Sequence, residues 1–338
     1  MSNLSDALLR FHEENKRNLP WRMEPSPYHV WVSEIMLQQT RVEVVKGYFE
    51  RFMASLPDVA SLAVASEGLC LKLWEGLGYY SRVRNLQKAA GIILKEFQGD
   101  IPHDISKLKR LPGIGEYTAS AIAAIAFHEK EVAVDGNLVR VYSRLFAKPL
   151  DPGSQKDRRL VAQGFADLMS IDPSVFNETL MDIGQLQCLP HGKPLCSTCP
   201  LRALCLAHER GEEQKYPLAK KKTKRKTEER TILILTKQDR VYLEKRPAKG
   251  LLSSLYQPMN LPGRWKEEDL RDYLEKKGYV LGSFEDLGGA KHVFSHIEWQ
   301  MTGWKIEVLA SPKDALFVTQ NEKETEYSVP SAFSAFLP

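Results

Sequence analysis

Apolar positions recur at helical spacing through the first two thirds of the chain and alternate in the last third, so the pattern predicts two kinds of structure. Ser26 and Pro27 form an N-cap and first-turn pair, and the segment to Met36 sets Trp31 and Ile35 on one side with Glu34 off it. Further helices are read over 62–76, 82–97, 116–127 and 138–147, separated by Gly and Pro. Beyond residue 230 the period becomes two. TILILT (231–236) and VYLEKR (241–246) read as strands, Ile297, Trp299 and Met301 alternate with polar neighbours, and Trp304, Ile306 and Val308 repeat the alternation after Gly303. One helix is read there, over 266–277. The expected architecture is multidomain: an all-α domain over 1–208, a connector over 209–229 and an α+β domain over 230–338.

Composition narrows the class. The chain has 338 residues, enough for two domains, with 43% hydrophobic and 27% charged residues, which excludes collagen-like, coiled-coil and wholly disordered chains. No run of 18 apolar residues occurs, and the first 15 residues carry acids on a helical period where a secretion signal needs an apolar block. A cytoplasmic protein with no membrane association, acting as a monomer, is the expectation.

Charge is informative once located. Seven basic residues and no acids lie in KYPLAKKKTKRK (215–226), so removing them from the net +4 leaves −3 for the remainder. The excess sits in the connector, where it reads equally as a solvated run, and it does not by itself establish nucleic-acid binding.

Four segments carry candidate chemistry. In LPGIGEYTASAIAAIAF (111–127), Gly113 and Gly115 permit a tight turn, after which a helix begins with free N–H groups. That turn is either a packing device or a hairpin that holds a DNA phosphate through backbone amides. Asp135, in Val134-Asp135-Gly136-Asn137, precedes a helix; it serves as an N-cap and is expected to be held ionised there by the helix dipole. Glu34 lies among Trp31, Val32, Ile35, Met36 and Leu37, so it is either on an exposed face or buried, with a raised pKa suited to a general acid. Two carboxylates in different environments are the pattern of glycosidic bond cleavage. Finally, Cys188, Cys196, Cys199 and Cys205 lie within 18 residues. Such clustering in a cytosolic chain points to a metal centre, and the spacing leaves zinc and a [4Fe–4S] cube equally open. The fifth cysteine, Cys70, sits in an apolar run and reads as a buried thiol.

Taken in order, LPWR (19–22), SEIMLQQT (33–40), GLGYYSR (76–82), LPGIGEYTA, VDGN, the cysteine cluster and HVFSH (292–296) resemble the helix-hairpin-helix base-excision DNA glycosylases, and within them the MutY-type adenine DNA glycosylases with a Nudix-like C-terminal domain. The resemblance spans both domains. It implies that Glu34 donates a proton to adenine N7, that Asp135 stabilises the oxocarbenium sugar, and that Asn137 holds Asp135. It places Tyr117 where strand-cutting relatives carry a Schiff-base lysine, which implies a monofunctional enzyme, since a phenol cannot form an imine. It further implies that Gln38, Gln39, Thr40 and Tyr79 probe the minor groove around a flipped base, and that Arg22 lines the adenine pocket. The duplex substrate would contain A:8-oxoguanine or A:G mispairs, with Phe294, Ser295 and His296 sensing the 8-oxoguanine. The 266–277 helix lacks a glutamate-rich Nudix box, so recognition and no pyrophosphatase chemistry is expected of the second domain. The four cysteines would hold a [4Fe–4S] cluster, although the first spacer, Leu189 to Leu195, has seven residues where the family usually has six. Two rival readings are an endonuclease III-type lyase on oxidised pyrimidines and a non-catalytic iron–sulfur DNA-binding protein.

Overall fold

The computed structural model describes residues 4–219 and 225–337; five residues of the basic run, 220–224, lie outside them. By contacts the described chain divides into two units, 4–65 with 82–219 and 66–81 with 225–337.

The first unit is helical. The helix Pro27–Leu37 starts where Ser26 Oγ accepts the His29 amide at 3.1 Å, and it is buried nearly all round, from Val30 to Met36. Such a helix sits in the core of its unit. Asp104, Ser154 and Asp172 cap three further helices in the same way, Ile105–Leu108, Gln155–Ala166 and Pro173–Leu186. Glu116–Ala126 follows the Gly113–Gly115 turn and is buried on most sides, its alanines allowing close approach to Pro27–Leu37 and Pro173–Leu186. The single helix expected over 62–76 is two, Val59–Val64 and Glu67–Leu73. Ser66 breaks the run because its side chain accepts the Leu69 amide and starts a new helix.

The second of these short helices groups with the second unit. Lys72 Nζ donates to the carbonyls of Lys323 and Tyr327 at 3.2 Å each, and the Val329 amide donates to Glu75 Oε1 at 2.7 Å. At the other boundary, the Leu218 amide donates to the Leu150 carbonyl at 2.9 Å, and strand pairing resumes at Lys226. Ordered backbone thus enters the expected connector from both ends.

The second unit is a mixed sheet. Its strands are β1 (Lys226–Lys237), β2 (Arg240–Tyr242), β3 (Glu244–Lys245), β4 (Tyr256–Gln257), β5 (Met259–Pro262), β6 (Val280–Val293), β7 (Ile297–Ala310) and β8 (Phe317–Thr319). Six form one sheet in the order β6-β7-β1-β2-β8 with β5 also on β1, and β1 runs parallel to β7. VYLEKR is split between β2 and β3 at Leu243, whose amide donates to the Leu316 carbonyl next to the Tyr242–Phe317 pair. Alternation along β1 builds two cores, as a strand buried on both faces requires. Leu233 and Leu235 pack with Leu270 and Leu274 of the helix Glu267–Lys276. Ile232 and Ile234 pack on the other face with Trp299, Met301, Phe333 and Phe336.

Candidate active site

Glu34 lies in the helix Pro27–Leu37 of the first unit. Its side chain is 5% exposed, and Tyr117, from the neighbouring helix Glu116–Ala126, donates its hydroxyl to Glu34 Oε2 at 2.7 Å. Burial drives the Glu34 carboxyl up to about 7; the Tyr117 bond opposes the shift, Asp135 adds to it and Arg22 opposes it. Of the two positions open from the sequence, the buried one is observed. Burial and then the Glu34 charge keep the phenol of Tyr117 protonated well above its ordinary range.

Asp135 is the N-cap of the helix Gly136–Leu145: Oδ1 accepts the Leu138 amide at 2.8 Å, and Oδ2 accepts Asn137 Nδ2 at 2.6 Å. The Leu138 and Asn137 donors at that helix start lower its pKa. Burial outweighs these donors, and the pKa of Asp135 is raised from the ordinary carboxylate value. Asn137 is itself held, its Oδ1 accepting Arg140 Nη2 at 2.9 Å, while Arg140 Nε donates to the Cys188 carbonyl at 2.6 Å. Gly184 of the helix Pro173–Leu186 makes room for Asn137, whose Cβ would stand 2.6 Å from any β-carbon placed there.

Glu34, Tyr117, Asp135 and Asn137 line one cavity of about 840 Å³, together with Arg22. The cavity lies within the size range of small-molecule sites. Arg22 is paired, its Nε 3.1 Å from Glu178 Oε1 and its Nη1 2.6 Å from Asp182 Oδ2, with Arg17 3.6 Å from Asp182. Sequence reasoning missed Glu178 and Asp182; two acids four residues apart on one helix were the available signal. Burial raises the Glu178 carboxyl, against the pull of Arg22.

Glu34, Gln39, Tyr117 and Asp135 also border a second cleft of about 800 Å³, walled by Gly113, Gly115, Lys109 and Arg158. Gly113 has φ 81°, and a β-carbon on it would lie 2.8 Å from Asn85 Cβ. Gly115 is the N-cap of Glu116–Ala126 with no side-chain cap, so the first amides of that helix lack a side-chain partner there. Gln38 reaches Thr118 Oγ1 at 3.4 Å, Gln39 adopts φ 59°, and Thr40 Oγ1 donates to the Gln38 carbonyl at 3.4 Å. This exit is held by a residue that sequence reasoning placed in a motif without giving it a role. Arg82 Nη1 donates to the carbonyls of Ile35, Met36 and Gln38 at 2.8, 2.9 and 2.7 Å, closing the helix end beside Glu34.

Tyr79, Phe294, Ser295 and His296 fall in the second unit. Tyr79 is exposed at φ 47°. Phe294–His296 is the tight link between β6 and β7, where the Phe294 amide donates to the Ile297 carbonyl at 2.8 Å. Phe294 packs edge-on against Trp299 with ring centroids 4.9 Å apart, which leaves Ser295 and His296 exposed at the tip.

Cys188, Cys196, Cys199 and Cys205 line one small cavity behind the helix Gly136–Leu145, with Arg144, His208 and Glu213. The seven-residue spacer is accommodated locally: Gly192 takes φ 73° in open space, and the Leu195 amide bonds back to the Gln187 carbonyl at 2.9 Å.

Comparison with known proteins follows the same division. Residues 32–166 match the HhH-GPD superfamily base excision DNA repair protein family, and 230–338 match the NUDIX domain family. An adenine DNA glycosylase of Buchnera aphidicola subsp. Acyrthosiphon pisum is 30% identical over 332 residues, which cover 97% of this chain and 92% of the relative. The adenine DNA glycosylase of Arabidopsis thaliana is 36% identical over 86% of this chain, which spans 55% of that relative's length. A thermostable thymine-DNA glycosylase superposes with a TM-score of 0.55 at 27% identity, covering 61% of this chain and 95% of its own. An endonuclease III in a non-covalent DNA complex shares the fold at 20% identity, with a TM-score of 0.52 and coverage of 61% and 95%.

Proposed function

Because the chain belongs to the adenine DNA glycosylases of the HhH-GPD base-excision superfamily, we propose that it hydrolyses the N-glycosidic bond of adenine mispaired with 8-oxoguanine or guanine, leaving an abasic site in an uncut strand. The observation that carries this reading is the pairing of Glu34, pushed up to about 7, with Asp135 on the wall of one cavity.

A base in a duplex is flipped before its glycosidic bond can be reached, at a cost of a few kcal/mol. The cavity beside Arg22 receives the adenine. Neutral Glu34 gives its proton to N7, the C1′–N9 bond breaks, and its electron pair leaves with the adenine. The sugar is left as an oxocarbenium ion facing Asp135, whose carboxylate stabilises the positive charge. Water adds at C1′ and gives up a proton to the Glu34 carboxylate. Tyr117 orients Glu34 and offers no amine, so no imine forms with the sugar. The amides after Gly115 hold a phosphate, Gln38, Gln39, Thr40 and Tyr79 occupy the groove, and Ser295 and His296 read 8-oxoguanine from the second unit.

The four cysteines are read as the ligands of a [4Fe–4S] cluster, which when bound cross-links the loop that follows Pro173–Leu186. The donor set supports that group, because all four cysteines line one small cavity. Burial pushes the thiols of Cys196 and Cys199 up to about 11 and about 12, so as thiolates these two need a cationic partner. Among the described residues, Cys196, His208 and Glu213 offer donor atoms within a mutual 4.8 Å.

The test is single-turnover release of adenine from duplexes that vary the base opposite it. Release from A:8-oxoguanine and A:G, lost in Glu34→Gln, is expected; release at wild-type rate by Glu34→Gln would refute the acid. Borohydride trapping of a protein–DNA adduct with the wild-type chain would favour the lyase reading. Ser295→Ala should narrow the preference for 8-oxoguanine over guanine. Purified protein should show broad absorbance at roughly 400 nm and about four irons per chain.

A further inference from the structure

Behind the active site, the cysteine cavity is lined by charges of both signs. Arg144, the ninth residue of the helix Gly136–Leu145, is 5% exposed. Its Nη1 donates to Cys188 Sγ at 3.2 Å and to the Leu189 carbonyl at 2.9 Å. Its Nε lies 2.9 Å from the Glu213 carbonyl and 3.0 Å from that of Tyr216. Its own carbonyl accepts from Cys205 Sγ at 3.4 Å. One buried side chain therefore joins the first cysteine, and its backbone the last, to the segment that closes over the cavity. Cys196 has the opposite neighbour, with Glu213 Oε1 3.7 Å from its sulfur and in turn 2.6 Å from His208 Nδ1. The four sulfurs sit in unequal fields.

We propose that Arg144 is the positioning residue of the cluster: it holds the Cys188 sulfur by a charge-assisted hydrogen bond, pins the 213–216 segment over it, and thereby raises the cluster's reduction potential and slows its loss. This inference rests on the [4Fe–4S] reading. A donor aimed at a thiolate ligand withdraws electron density from the iron it binds and favours the more reduced state, and outer partners of this kind change metal affinity about 10- to 100-fold. Arg202 lines the same cavity and is bonded to His208 Nε2 at 3.2 Å, so it serves as a control for removing a positive charge without removing a bond to sulfur.

The experiment compares the wild-type chain with Arg144→Met, Arg144→Lys and Arg202→Met in iron content, midpoint potential and the rate of iron release to a chelator. Arg144→Met should load iron, show a more negative potential and release iron about 10-fold faster or more. Arg144→Lys keeps a charge near the sulfur but not the four-way fork. It should shift the potential less and still release iron faster, and Arg202→Met should match the wild type. Wild-type potential and release rate in a fully loaded Arg144→Met overturn the proposal. If Arg144→Met is recovered without iron, Arg144→Lys decides, and an unchanged release rate overturns it. Zinc, or no metal, in the wild-type chain defeats the cluster reading instead, an outcome separate from either.

Discussion

The Tyr117 hydroxyl bonded to Glu34 Oε2 at 2.7 Å pulls against the burial of that carboxyl, because a donor favours the charged carboxylate while burial favours the neutral acid. Burial wins, and the carboxyl is left near neutrality. Activity and stability both depend on that balance.

Adenine release under single-turnover conditions should fall as pH rises through about 7, following loss of the Glu34 proton. The folded value lies above the unfolded one, so the native state binds the proton more tightly, and stability is lost as pH climbs from about 4.5 to about 7. Glu34→Gln should therefore be more stable than the wild type at pH 8, by up to roughly 3 kcal/mol, and show little difference at pH 4. Thermal melts at the two pH values check the sign.

Tyr117→Phe removes the bond that lowers the Glu34 value. Its rate profile should shift to higher pH, with activity persisting where the wild type has lost it. The measurement is the pH midpoint of single-turnover release; a shift to lower pH would contradict the arrangement.

Gly184→Ala places a methyl group 2.6 Å from Asn137 Cβ, and Asn137 must move away from Asp135. The chemical step should slow by roughly 10-fold or more, equivalent to about 1.4 kcal/mol, while duplex binding changes little. Overpacking should also cost about 1–3 kcal/mol of stability. Binding by titration and release by quench separate the two effects.

Gly113→Ala meets both an unfavourable φ and the Asn85 side chain. The strained backbone costs on the order of 1–3 kcal/mol, and the turn that presents the helix amides is displaced. Affinity should drop by a similar factor for matched and mismatched duplexes, since a phosphate contact carries no base information.

Much of this was legible because it is local. Ser26-Pro27 announces a helix start, and the alternation of Ile232 and Ile234 against Leu233 and Leu235 announces a strand with two covered faces. Ser66, by contrast, leaves the helical period over 62–76 unbroken in the sequence, although its side chain is what starts Glu67–Leu73. The acid was visible as a carboxylate among apolar residues, but its burial was not, because periodicity within one helix cannot tell which neighbours will surround it.

What the chain determines by itself is the identity and order of its chemical groups: Glu34, Tyr117, Asp135, four clustered cysteines, and a change of period near residue 230. Tertiary structure alone decided the environment of each group. It paired Arg22 with Asp182 across 160 residues of chain and with Glu178 on the same helix, and it joined Asn137 to Cys188 through Arg140. It also placed Asp135 deep enough that desolvation exceeds the pull of its helix. Hydrogen-bond partners, desolvation and charge–charge coupling act over a few ångströms in space, and separation along the chain carries almost no record of them.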